Sequence, residues 1–272
     1  MIPKMKILIK IYAFIIILLM TGCSTNKNQI QNIENIDVTP EELLKSGEGN
    51  IRNKDYKDAI ENFDQIERNF PSSSLVAKSQ ILKAYSYYSD EKFEEAIMIV
   101  DDFLKQYPSY PDIAYMYYLK GICYYDQILD VGRDQENTHK AIDALYEVKS
   151  YFPETKYAKD AKWKIEYALN VLAGKEMDIG RFYLRTNKPI AAVGRFKTVV
   201  DLYQNTIFIQ EALFRLTEIY YAFGILSEST KYAEILGYNY PDNIWYKKAH
   251  HLLNNVPGRK VPFFKSVFKK LY

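Results

Sequence analysis

One spacing recurs along this chain and limits what it can fold into. An alanine is followed four residues on by a bulky apolar residue, and eight residues after that by a proline with an aromatic before it. Ala59, Phe63, Phe70 and Pro71 fit this spacing, as do Ala96, Val100, Tyr107, Pro108 and Ala141, Leu145, Phe152, Pro153. Ala192, Phe196 and Tyr203 fit with Gln204 replacing the proline, and Ser229, Ala233, Tyr240 and Pro241 fit with small residues at the first two positions. Twelve residues before the first position stands another small residue, Gly47, Ala84, Gly180 or Thr217. The third unit has Gly121 twenty residues back, which implies an eight-residue insertion in the stretch Asp130–His139. Units of this length cannot bury an apolar face alone, so five in register must stack on one another.

The pattern is that of tetratricopeptide repeats, in which antiparallel helix pairs cross closely at small residues and proline ends the second helix. The residue four positions after each alanine shares its helix face and fills the groove between the two backbones. The 37-residue step from Gly47 to Ala84 to Gly121, repeated from Gly180 to Thr217, predicts slightly long helices. Between Thr155 and Thr186 there is no proline, and Ala158, Ala161, Ile165, Ala168, Leu169, Leu172, Ala173, Met177 and Ile179 form a helical stripe. One long helix is expected there. The fold class is therefore all-α, a tetratricopeptide solenoid of five helix pairs with one long helix joining repeats 3 and 4. Only 11 Gly and 10 Pro in 272 residues, against 25 Tyr, suit packed helices with amphipathic faces.

The first residues read as an address. Lys4, Lys6 and Lys10 precede the apolar run from Ile11 to Met20, then Thr21, Gly22 and Cys23. Ten apolar residues span about 15 Å as a helix, half a bilayer core, so this is a signal h-region and not a span. Residues 1–22 resemble a lipoprotein signal peptide, cut before Cys23, whose thiol and new amine are acylated. An ordinary secretory signal that contains a cysteine is the alternative. By the same resemblance, Ser24 in place of Asp implies the outer membrane. Residues 23–38 read as a polar tether, and Thr39 and Pro40 suit the cap and first turn of the first helix. Loss of the signal takes the net charge from +2 to about −1. Near neutrality does not suit a dedicated nucleic-acid binder. Cys123 is then the remaining thiol, in an apolar setting that reads as core.

A wider resemblance rests on several segments. They are Tyr107–Gly121 with its two Tyr-Pro pairs, Asp130–Gln135 in the insertion, Phe152–Ala161, Leu172–Tyr183 and Ala191–Phe196. Together with the lipoprotein signal they resemble the BamD (YfiO/ComL) family of outer-membrane assembly lipoproteins over roughly residues 38–246. The resemblance implies a non-enzymatic receptor and scaffold, anchored by lipid at the periplasmic face of the outer membrane. It implies that the front repeats (residues 39–154) take the aromatic-ended signals of unfolded outer-membrane β-barrel proteins. The long helix and rear repeats (155–245) would hold BamA, alongside other lipoproteins of the machinery.

Counting around the first helices from Ala84 and Gly121 turns Tyr85, Tyr88, Tyr115, Tyr118 and Tyr125 inward, a groove of rigid rings with hydrogen-bonding tips. For any one of them, packing of repeat on repeat is the other reading. By resemblance, Arg195 matches an arginine that docks a periplasmic domain of BamA, and a guanidinium can grip a carboxylate bidentately. A solvated helix arginine is the alternative. The insertion is expected to rim the groove. The tail, residues 246–272, is basic and amphipathic, suited to anionic lipid, to a partner or to the last repeat.

No catalytic or metal motif occurs. The histidines are His139, His250 and His251, no cysteine pair exists, and the many carboxylates sit in alternating charge patterns of solvated helix faces. No cofactor is expected. Two other functions remain in view: a tetratricopeptide lipoprotein of envelope or pilus biogenesis without barrel clients, and a peptidoglycan-cleaving enzyme, for which too few residues follow the last repeat.

Overall fold

The computed structural model describes residues 38–254. The signal, Cys23, most of the tether and the tail beyond residue 254 lie outside the described residues. Within them all regular structure is helical. The pairs are α1 (Pro40–Asn53) with α2 (Tyr56–Asn69), α3 (Val76–Ser89) with α4 (Phe93–Gln106), and α5 (Ile113–Tyr125) with α6 (Glu136–Tyr151). Then come α7 (Lys156–Arg185) with α8 (Pro189–Leu202) and α9 (Ile209–Ala222) with α10 (Leu226–Asn239), and last α11 (Ile244–Asn254).

Local chemistry explains the helix ends. Thr39 accepts the Glu42 N–H at 3.2 Å while the Glu42 carboxylate accepts the Thr39 N–H at 2.9 Å, a reciprocal cap that starts α1 ahead of Pro40. The pattern's five aromatics, Phe70, Tyr107, Phe152, Tyr203 and Tyr240, are the C-caps of α2, α4, α6, α8 and α10. In four of them the next residue is proline, which has no N–H to continue the ladder. The turns within pairs carry left-handed backbone at Lys54, Glu91, Asn187 and Gly224. The third pair has the insertion in that place.

Packing follows the small residues. A β-carbon added to Gly47 would lie 2.5 Å from the Phe63 ring, one on Gly121 2.6 Å from Leu145, and one on Gly180 2.5 Å from Phe196. Each contact joins the two helices of one pair, and the Gly121–Leu145 contact holds despite the insertion between them. In the fifth pair Ser229 donates its hydroxyl to the Thr217 carbonyl at 2.8 Å, both residues being fully buried. The first two pairs are stapled by Lys83, 6% exposed, whose ammonium reaches Asp64 at 2.8 Å and Glu67 at 2.6 Å.

The long helix runs 30 residues, capped by Thr155 and ended at Thr186. Ala161 and Ile165 in its first half pack with Leu145 and Val148 of α6, while Ala173 and Met177 belong to the rear core with Phe196 and Leu213. It is thus both the bridge between halves and the first helix of the fourth pair. The rear core does not stop at residue 245. Tyr246, Ala249 and Leu253 are buried, and a β-carbon on Gly237 would lie 2.5 Å from the Tyr246 ring, so α11 closes the end of α9 and α10. The first residues of the expected tail are therefore part of the solenoid.

Candidate functional site

The five tyrosines named from spacing lie on two successive first helices, α3 and α5, and with rings of α7 form three ring groups that together make an aromatic wall. Tyr85 and Tyr88 on α3 have ring centroids 6.5 Å apart, and Tyr115 and Tyr118 on α5 stand 5.7 and 5.2 Å from Tyr157 on α7. Tyr125 meets Tyr167 of α7 at 5.7 Å. Tyr85 is 36% exposed and Tyr167 55% exposed; Tyr88, Tyr115, Tyr118 and Tyr125 are half-buried. The wall therefore spans α3, α5 and the first half of α7.

Two phenol tips are engaged within the fold, as the repeat-on-repeat reading had them. Tyr88 donates to Asp126 at 2.6 Å and Tyr118 to Asp160 at 2.5 Å, each bond reaching from one repeat to the next. Burial first, then the neighbouring carboxylate, pushes both phenols well above the ordinary value, and burial does the same for Tyr115. They remain neutral donors at physiological pH. Burial works against the Asp160 charge, yet hydrogen bonds from Lys164 and Tyr118 outweigh it and hold its carboxyl below the ordinary range. Lys164 bonds Asp160 at 2.8 Å and lies 5.2 Å from the Tyr125 ring centroid. Such a wall presents ring faces for stacking, with cation and carboxylate at defined points.

Sequence reasoning missed the α7 share of this wall. Tyr157, Asp160, Lys164 and Tyr167 recur at three- and four-residue steps beside the Ala158, Ala161, Ile165, Ala168 stripe, so the signal was there, masked by the apolar one. The insertion packs on the long helix. Val131 sits over Gly174, Lys175 donates to the Arg133 carbonyl at 2.9 Å, and buried Gln135 ties the Asp130 and Arg133 carbonyls together. Cys123 is fully buried and its thiol is pushed up to about 12, chiefly by that burial.

Arg195 lies on α8, away from the wall. Its Nη1 contacts Glu176 of α7 at 3.1 Å, and its side chain is 42% exposed against 17% for Glu176. Among the described residues no group of three His, Cys, Asp or Glu side chains could hold a metal ion, and no helix is long and apolar enough to cross a membrane.

Comparison with known proteins adds the lineage. The family model described as YfiO, an outer membrane lipoprotein, matches residues 36–236. The chain is 40% identical over 238 residues to the outer membrane protein assembly factor BamD of Rickettsia prowazekii, covering 88% of this chain and 93% of that one. It is 42% identical over 217 residues to the protein of the same name from Caulobacter vibrioides, covering 79% and 71%. A solved complex of the yeast Sti1 TPR2AB domain with pHSP90 aligns over 79% of this chain and 88% of that one at 12% identity, with a TM-score of 0.41. By the family model and by its identity to these relatives over most of its length, the chain belongs to the BamD (YfiO) family of outer membrane lipoproteins.

Proposed function

We propose that this chain is an outer membrane protein assembly factor that acts without chemistry of its own, receiving unfolded β-barrel clients in the front groove and linking them to BamA through the rear half. Lipid on Cys23 holds it at the periplasmic face of the outer membrane, where other lipoproteins of the machinery join it. The relatives' names supply the process. The observation that supports the client site is the three groups of tyrosine rings, Tyr85 with Tyr88, Tyr115 and Tyr118 with Tyr157, and Tyr125 with Tyr167, on the first helices of three successive pairs. Extended client segments rich in aromatics would stack on those rings, because two of the tips are already taken by Asp126 and Asp160. Arg195 supports the BamA contact: its side chain is 42% exposed and only Nη1 reaches Glu176, so the rest of the guanidinium can take a partner carboxylate while Glu176 keeps its cation.

One experiment tests both halves. Affinity for an aromatic-ended barrel peptide is measured by anisotropy, and BamA retention by pull-down. Tyr88→Ala with Tyr118→Ala should weaken the peptide about tenfold or more, as losing two stacked rings would, and leave BamA retention intact. Phe at both positions keeps the rings, breaks the bridges to Asp126 and Asp160, and should retain most affinity. Arg195→Glu should do the converse, sparing peptide and losing BamA. Full peptide affinity in the double alanine variant removes the client groove, and unchanged BamA retention removes Arg195. Barrel proteins absent from all pull-downs would favour an envelope lipoprotein without such clients.

A further inference from the structure

The first half of the long helix carries a second surface, turned away from the tyrosine wall. At about 100° per residue, Tyr157, Asp160 and Lys164 turn to α5, while Lys159, Lys162 and Trp163 emerge on the opposite flank, beside α6. Trp163 is 68% exposed, more than any other aromatic side chain among the described residues, and Tyr146 of α6 is 44% exposed. Each ring has a lysine over it: Nζ of Lys162 is 5.8 Å from the Trp163 centroid, and Nζ of Lys149 is 5.8 Å from that of Tyr146.

The charges of this corner are not answered within the fold. Lys149, Lys156, Lys159 and Lys162 are exposed, and none forms an ion pair with a described residue. Lys164 is different, since Asp160 takes it at 2.8 Å. The other acids of residues 149–167 are Glu154 and Glu166, so the corner keeps an excess of positive charge. Asp143 and Glu147 of α6 lie on the side of that helix away from α7, Glu147 near Tyr117 and Lys120. Over residues 38–254 as a whole the sign is reversed, with Asp and Glu outnumbering Lys and Arg. An anionic surface is therefore attracted at this corner and repelled by the body behind it.

We propose that the α6–α7 corner rests on an anionic phospholipid surface, with Trp163 and Tyr146 in the headgroup layer and Lys149, Lys156, Lys159 and Lys162 on the phosphates. Tryptophan and tyrosine suit that boundary because each ring has an apolar body and a polar tip. Lysine stems lie along the rings while their ammoniums reach outward. The cations here are all lysines, point charges on flexible stems that suit the shifting phosphates of a bilayer, and none is a guanidinium fork for in-plane binding of a fixed carboxylate. The placement rests on the lipid anchor proposed at Cys23. Sixteen residues lead from Cys23 to Thr39, a leash of at most about 55 Å that keeps the folded body at a membrane.

The test uses the mature chain with Cys23→Ser, which removes acylation, so the result does not depend on the anchor. Vesicles of phosphatidylglycerol mixed with phosphatidylcholine are compared with phosphatidylcholine alone by co-sedimentation, and tryptophan emission is read on the same samples. The mixed vesicles should hold the chain about tenfold more tightly, an advantage that added salt removes, and the emission should move to shorter wavelength. Trp163→Phe should abolish that shift, because the other tryptophan, Trp245, is half-buried with its ring 5.3 Å from that of Phe214. Lys156→Glu with Lys159→Glu and Lys162→Glu, all at exposed positions, should weaken binding about tenfold or more. Tyr88→Ala with Tyr118→Ala, and Arg195→Glu, should leave vesicle binding unchanged, which separates failure here from failure of the client or BamA sites. Equal binding to the two vesicles overturns the proposal. So does binding that shows no emission shift and ignores the lysine variant, which would assign it to the basic tail. Soluble poly-glutamate held through these lysines while mixed vesicles are ignored would assign the corner to an acidic polypeptide and overturn it too. The vesicle comparison and the Trp163 shift decide on their own if the lysine variant fails to fold.

Discussion

At the scale of the residue, the solenoid depends on what is missing from its small side chains. Gly180 lets the Phe196 ring, fully buried, lie where a β-carbon would otherwise be. Gly180→Ala should therefore cost about 1–3 kcal/mol through overpacking, visible as a lower midpoint in urea. Gly194, on the outer face of α8, has nothing within 4 Å of such a β-carbon. Gly194→Ala should raise stability by about 1 kcal/mol, because helical alanine loses less backbone freedom on folding. The first kind of glycine was legible from register with Ala59, Ala141 and Ala192. Gly237 was not, because its partner Tyr246 reads as tail. The bonds of Tyr88 and Tyr118 to Asp126 and Asp160 were not legible either, because they span 38 and 42 residues and no local spacing encodes them.

At the scale of the element, α7 was legible end to end. No proline interrupts it, and Thr155 accepts the Ala158 N–H at 3.2 Å as the N-cap of Lys156–Arg185. Thr155→Ala should cost about 1 kcal/mol and speed amide exchange in the first turn of α7 while its second half stays protected. Turns within pairs were less legible. Lys54, Glu91 and Asn187 hold left-handed backbone that usually announces itself as glycine, and only Gly224 does so here. Their geometry is imposed by the pairs they join. The helix α11 was half legible: packing on the last repeat was one of three readings of the tail, and only Tyr246, Ala249 and Leu253 carry its buried face among basic residues.

At the scale of the whole molecule, burial is divided along the rod. One cluster gathers Ala84, Val100, Phe103, Met116 and Leu119 in the front, and another gathers Phe196, Leu213, Leu216 and Leu236 in the rear, with α7 running between. Stacked repeats contact chiefly their neighbours, so such a chain should open by parts. Phe196→Ala should cost about 3–5 kcal/mol and, in hydrogen exchange, release α8 to α11 while α3 to α5 remain protected. Simultaneous loss of protection in both halves would mean that α7 couples them into one unit.

The sequence by itself determined the helices, their pairing, the long bridge and the family, because close crossings need small residues and helix ends need caps at regular intervals. Only the tertiary structure decided which tips, forks and faces are spent within the fold and which stay exposed. Those allocations depend on side chains brought together from distant repeats: Tyr118 finds Asp160, Arg195 finds Glu176, and Arg185 meets no described partner.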